Sequence, residues 1–260
     1  MFKKKVYFVA LTTYQVFVSD LYARYIKERY EDFDIYIFII GVNMGYIKTE
    51  DVYKVVTIPE MNIDKVHRIW QRLYWAGVFF RFSPLSKYFD KNFEICLFLF
   101  NDNEPITNKI LRFVKKSEKS AATIIEEGIG IYETSTGKRT LKQNIRYLIT
   151  SLMGSPMQYK SVGDNRNIDN VIVGDVRLYK TLKKSEGKEI IFQDKKNIYK
   201  HSADFLKRNS IVLPDLAKYR ILYLGQPFDE YGELIECEEK FIIKLLEKLP
   251  DNAVIIKPHP

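Results

Sequence analysis

Residues 122–130 read ATIIEEGIG, a short apolar, β-branched run that opens without a break into two glutamates and a glycine. The run is too short for a helix and is bounded by a turn signal. It therefore reads as a buried strand whose carboxyl end carries Glu126 and Glu127. The same pattern recurs upstream. Val6–Leu11 is an apolar run followed by TTYQ at 12–15, where Thr12 or Thr13 caps a helix through about Arg29. FDIYIFII (33–40), VYKVVTIP (52–59) and FEICLFLF (93–100) read as further strands, the last ending in the polar loop NDNEP. Asn62 is placed to cap a long helix over Ile63–Tyr88, and Pro105 suits the first turn of another.

Strands alternating with helices imply an α/β fold with a parallel sheet and right-handed crossovers. Ligands of such sheets sit beyond the carboxyl ends of the strands. The turns Thr12–Gln15, Asn101–Glu104 and Glu126–Gly128 are therefore expected along one edge. Downstream, Lys138–Met153 is an amphipathic helix with Leu141, Ile145, Leu148, Ile149 and Leu152 on one face and Lys138, Arg139, Lys142 and Arg146 among its polar positions. Packing of that apolar face is the expectation, with an anionic membrane as its alternative. NVIVG (170–174) and EIIFQ (189–193) are short strand candidates. From Lys218 a second alternation runs: YRILYLG (219–225), a helix over Glu236–Leu249, then NAVIIKPHP (252–260). A β-α-β unit of this size has too little core to stand alone, so it either joins the first sheet or begins a second domain. The expected division is 1–217 and 218–260.

The chain's 260 residues include 41 Lys and Arg against 33 Asp and Glu, a formal charge of +8 that favours an anionic partner. No dense basic tract accompanies it, so nucleic acid is not the expected partner. Cys96 and Cys237 sit on separate apolar elements and read as reduced core residues, which points to the cytoplasm. The N-terminus lacks the apolar length of a signal peptide. LYWAGVFF (73–80), closed by Arg72 and Arg81, is too short to cross a bilayer.

Two motifs carry chemistry. Adjacent carboxylates at a strand end alternate in direction, so one can face a cleft while the other makes structural bonds. Partial burial lifts such a carboxyl toward the range of a useful general base. Gly128 and Gly130 offer close backbone approach or positive φ. His259 is delivered to a sheet edge by an apolar strand, between Pro258 and Pro260, whereas His67 and His201 lie in polar helical or capping contexts. No Asp-x-Asp metal motif stands at a strand end; DNE at 102–104 is the nearest approach.

Glu126-Glu127-Gly128 together with His259-Pro260 resembles the paired motifs of bacterial sialyltransferases of glycosyltransferase family 52 and their capsular polysialyltransferase relatives. TTYQ and YLGQPFDEYGELI (223–235) look similar as well. The resemblance implies a GT-B-like fold of two Rossmann-like domains, the C-terminal one incomplete because the sequence stops at the His-Pro motif. It implies Glu126 as general base and His259 as the group that contacts the donor phosphate. Gly225, Gln226, Pro227 and Pro260 would then lie on the donor side, and Glu127, Gly128, Thr13 and Gln15 on the acceptor side. The implied reaction is inverting, metal-independent transfer of sialic acid from CMP-sialic acid, a substrate rather than a cofactor. The acceptor would be a terminal galactose-like hydroxyl of a lipooligosaccharide or capsular glycan, at the inner face of the cell membrane. Two alternatives stay open: a GT-B enzyme with another nucleotide-sugar donor, and a truncated, non-catalytic glycan-binding remnant.

Overall fold

The apolar runs form seven parallel strands in a computed structural model of the chain. They are β1 Lys4–Ala10, β2 Asp34–Ile40, β3 Lys54–Ile58, β4 Glu94–Leu99, β5 Ala121–Ile125, β6 Asn170–Val173 and β7 Glu189–Phe192. Their order is β3-β2-β1-β4-β5-β6-β7, and every neighbouring pair is parallel. The structure describes residues 4–41, 47, 50–58, 88, 93–117, 119–132, 141–152, 162–183, 187–211, 221–224, 243–244 and 254–257. The helix expected over Ile63–Tyr88 lies, apart from Tyr88, outside them.

Two-residue alternation builds a core on each face of the sheet. Tyr7, Val9, Tyr36, Phe38, Ile95, Leu97 and Ile124 pack on one side with α2 (Pro105–Val114) and with Tyr179 of α4 (Val176–Leu182). Val6, Phe8, Ile35, Ile37 and Ile125 pack on the other with α1 (Thr13–Lys27), α5 (Lys195–Tyr199) and α6 (Ser202–Arg208). Strands buried on both faces read as nearly unbroken apolar runs, which is why the sequence displays them so plainly. Each such side chain contributes about 1.5–3 kcal/mol through burial, so the strand ends are held on a rigid frame.

Capping starts α1 as expected: the Thr12 side chain accepts from the Gln15 N–H at 3.2 Å. Pro105 stands in the first turn of α2. The amphipathic helix, α3 (Leu141–Leu152), forms where the sequence places it, but the described residues of its apolar face do not pack. Leu141 (78% exposed), Leu148 (59%), Ile145 (49%) and Ile149 (42%) all meet solvent, which overturns the expectation of a packed helix.

The chain divides into two units, Met1–Asn209 and Ser210–Pro260. The sequence places the junction at 217/218, within residues that are not described. In the second unit β8 (Ile221–Leu224) pairs in parallel with β9 (Val254–Lys257), from Ile221 opposite Val254 to Leu224 opposite Lys257. The pair forms a two-stranded sheet of its own, so it does not extend the seven-stranded sheet. Apart from residues 243–244, the helix expected over Glu236–Leu249 lies outside the described residues.

Candidate active site

The turns Thr12–Gln15 after β1, Asn101–Glu104 after β4 and Glu126–Gly128 after β5 all fall at the carboxyl edge of the sheet. Gly174–Asp175 after β6 and Gln193–Lys195 after β7 join them there. β1 and β4 are the neighbours from which the chain winds in opposite directions, and crevices of open α/β sheets form at such a point.

Strand alternation separates the two glutamates. Glu126 continues the pairing with β6, its N–H donating to the Ile172 carbonyl at 2.9 Å. Its side chain, 14% exposed, lies on the side of Tyr179 and Gly174. There the Tyr132 hydroxyl donates to Oε2 at 2.7 Å, the Gly174 N–H donates to the same oxygen, and Lys195 Nζ stands 3.8 Å from Oε1. Tyr132 in turn accepts from the Asp175 N–H at 3.1 Å. Burial and the bond to Glu126 push the Tyr132 phenol up to about 12, so it remains a donor. Glu126 is thereby held by three partners from three segments.

Glu127 turns the opposite way, toward α1. Gln15 Nε2 donates to Oε2 at 2.6 Å and the Thr12 hydroxyl donates to Oε1 at 3.3 Å. The Gln15 amide is oriented by its other end, since its Oε1 accepts from the Leu11 N–H at 2.7 Å. Gln15 is buried, whereas Glu127 is exposed to solvent at its outer side. Desolvation by the surrounding protein raises the Glu127 carboxyl above the ordinary range, and the bonds from Gln15 and Thr12 hold part of that rise back.

The other sequence candidates are distributed as follows. Thr13 is exposed at the first position of α1, and it is Thr12 whose hydroxyl reaches Glu127. Gly128 and Gly130 adopt no positive φ, and a Cβ on either would meet nothing within 4 Å. The glycine that the site requires is Gly174, where a Cβ would lie 3.1 Å from Lys195 Nζ and 3.2 Å from Glu126 Oε2. His201 precedes α6, with Nε2 3.3 Å from Glu28. Cys96 is free and partly buried. Gly225, Gln226, Pro227, His259 and Pro260 lie outside the described residues, as do His67 and Cys237. Among the described residues no group of three or more His, Cys, Asp or Glu side chains is arranged to hold a metal ion.

Sequence reasoning missed Tyr132, Gly174, Lys195 and the aromatic pair Tyr14–Tyr199. Those two hydroxyls stand 3.0 Å apart, with Tyr14 exposed one residue before Gln15. Two of these had a local signal: Gly174, as the glycine that closes NVIVG, and Tyr14, within the TTYQ turn.

Asp102, after β4, is a structural clasp. Its carboxylate is buried and accepts from the Gly163 and Asn165 N–H groups at 3.0 and 3.1 Å. Burial raises its pKa, and those two bonds oppose the rise. Asp102→Ala strands both donors and is expected to cost about 2–4 kcal/mol in urea unfolding. A loss under about 0.5 kcal/mol would contradict the clasp.

Fold and site together define an α/β protein with a carboxylate pair at the carboxyl edge of a parallel sheet, one member locked in structural bonds and the other open to solvent. No family model and no curated protein matches the chain. Among solved structures it is similar to a protein assigned as a UDP-N-acetylglucosamine 2-epimerase from Listeria monocytogenes (11% identity, 98% of this chain and 62% of that chain, TM-score 0.49). It is also similar to a sialyltransferase from Photobacterium damsela (10% identity, 99% and 62%, TM-score 0.44). A third is a UGT transferase from Siraitia grosvenorii in complex with UDP (8% identity, 92% and 63%, TM-score 0.42). The chain thus spans less than two thirds of the length of each, between 62% and 63%.

Proposed function

We propose that the chain belongs to a glycosyltransferase and, more narrowly, to an inverting sialyltransferase that works without a metal ion. The observation that carries this reading is the Glu126–Glu127 pair: two adjacent carboxylates at a sheet edge, one anchored and the other accessible with a raised pKa. The motif resemblance supplies the substrate class: CMP-sialic acid as donor, and an oligosaccharide or glycolipid ending in a galactose-like hydroxyl as acceptor. The +8 charge suits both anionic partners. The proposed location is the cytoplasm at the inner membrane face.

In this reading a carboxylate takes the proton of the acceptor hydroxyl as that oxygen bonds to the anomeric carbon. The bond from that carbon to the donor phosphate breaks, and CMP leaves with the electron pair. The anomeric carbon of sialic acid is tertiary, so the transition state is cation-like and needs a modest base plus stabilisation of one phosphate. His259 is the proposed phosphate contact, with Gly225, Gln226, Pro227 and Pro260 beside it. The resemblance assigns the base to Glu126, but the geometry supports exchanged roles. Glu126 already has Tyr132, Gly174 and Lys195 as partners, whereas Glu127 keeps a solvent-facing side and an elevated pKa. Glu127 is therefore the proposed base and Glu126 the positioning residue. Gln15 and Thr12 orient Glu127, and Tyr14 borders the acceptor side.

The direct test is to translate the reading frame to its stop codon and assay the product with CMP-sialic acid and a lactose-type acceptor. Release of CMP together with sialylated product is expected, and absence of both would overturn the proposal. A thermal-shift screen addresses the nearest rival, because stabilisation by uridine or guanosine nucleotides alone would indicate another donor.

The pH profile is a further check. A base must be ionised, so kcat/KM should fall on the acid side at a higher pH than an ordinary glutamate gives. Gln15→Leu removes a hydrogen bond that favours the charged form of Glu127, and the acid limb should move further up. A limb that stays in place or moves down would place the base elsewhere.

A further inference from the structure

We infer that α3 is a docking element that lies flat on an anionic lipid surface through Leu141, Ile145, Leu148 and Ile149. This deepens the proposed peripheral location by naming the surface responsible, and it depends on the chemistry of α3 alone. At about 100° per residue these four positions fall on a single stripe, and positions 142 and 146 border it on one side. All four stripe residues are exposed, the least by 42%. Isolated exposed apolar residues are ordinary, but a contiguous stripe on one helix marks an interaction surface.

The charge pattern selects the occupant. From Thr134 to Gly163 the sequence contains no Asp or Glu, while Lys138, Arg139, Lys142, Arg146 and Lys160 supply five cations. The whole chain holds 33 acidic residues in 260, so a run of this length with five cations and no carboxylate is a local excess of positive charge along the sequence. A helix with an apolar stripe and a basic border matches an interface of anionic headgroups over acyl chains. A second copy of the chain fits poorly, because pairing this face with itself opposes like charges. At about 18 Å the helix is also too short to span a bilayer, which leaves the in-plane orientation.

The test is sedimentation of the full chain with vesicles. Wild type should pellet with phosphatidylglycerol–phosphatidylcholine vesicles, should do so less at high salt, and should stay in solution with phosphatidylcholine alone. The double variant Ile145→Asn/Leu148→Asn and the double variant Lys142→Glu/Arg146→Glu should each weaken binding by about tenfold or more. Circular dichroism and Tm should match wild type, because the stripe is already in solvent. Equal binding by wild type and the Ile145→Asn/Leu148→Asn variant would overturn the inference, as would no binding to either vesicle. A concentration-dependent dimer that this variant abolishes, without vesicle binding, would also overturn it by making the face a contact between copies. Vesicle binding needs neither donor nor Glu127, so its failure is separable from failure of the catalytic reading. Transfer to a short soluble acceptor should be the same in wild type and both α3 variants.

Discussion

On the proposed function, Glu127→Gln is expected to lower kcat for sialyl transfer by about 10²–10⁴-fold, the usual contribution of a positioned base, with little change in KM for the donor. The variant removes a charge without removing bulk, and Gln can still bond Thr12 and Gln15. Thermal stability supplies the internal control. A carboxyl whose pKa is raised on folding contributes stability at low pH that is lost as pH climbs from the unfolded value through the folded one. At neutral pH, Glu127→Gln should therefore leave Tm unchanged or slightly higher. Glu126→Ala should do the reverse in kind. It leaves the Gly174 N–H and the Tyr132 hydroxyl without their acceptor and costs about 1–3 kcal/mol of stability. If Glu126→Gln abolished turnover at unchanged Tm while Glu127→Gln remained active, the base would be Glu126, as the motif resemblance alone implies.

The largest effect on folding should come from Asp20. This aspartate of α1 is completely buried and gathers two cations and a phenol. Arg24 Nε lies 3.3 Å away, Arg208 Nη2 lies 3.1 Å away, and the Tyr53 hydroxyl donates at 2.6 Å. Glu50 closes the network by pairing with both arginines. Asp20→Ala leaves two partly buried guanidinium groups facing each other and should cost about 3–5 kcal/mol. In a unit of this size that is a fall in Tm of roughly 6–20 °C. The Lys200–Glu28 pair, 2.7 Å apart but about half exposed at both ends, gives the contrast. Lys200→Ala should cost well under about 1 kcal/mol, because solvent screens the pair. Scanning calorimetry that found the two variants equally stable would show that the Asp20 network is not what joins α1, α6 and the segment before β3.

Strand positions were legible in the sequence because both faces of the sheet are buried. After Asp34, every residue of a run such as FDIYIFII is then apolar or aromatic and buried, and the run announces itself. The alternation with helices told that the sheet is parallel, and the turn residues told which edge to inspect. The strand order was not legible, since order follows from which helices cross which face and not from any single segment. The fate of α3 was misread for a related reason. An amphipathic pattern states that one face is apolar, but it does not say whether protein or something else covers that face.

What the sequence alone determined is the α/β class, the approximate bounds of the strands, and the presence of two adjacent carboxylates at a strand end with opposite directions. That much follows from local chemistry and a period of two residues. The tertiary structure decided what each carboxylate meets: Tyr132, Gly174 and Lys195 for Glu126, and Gln15 and Thr12 for Glu127. Hydrogen-bond partners from 112 and 115 residues away for Glu127, and from 48 residues away for Glu126, cannot be inferred from a local motif. They depend on β1, β5 and β6 ending at the same edge. Which glutamate is enclosed by partners and which keeps an exposed side is therefore set by packing between distant segments.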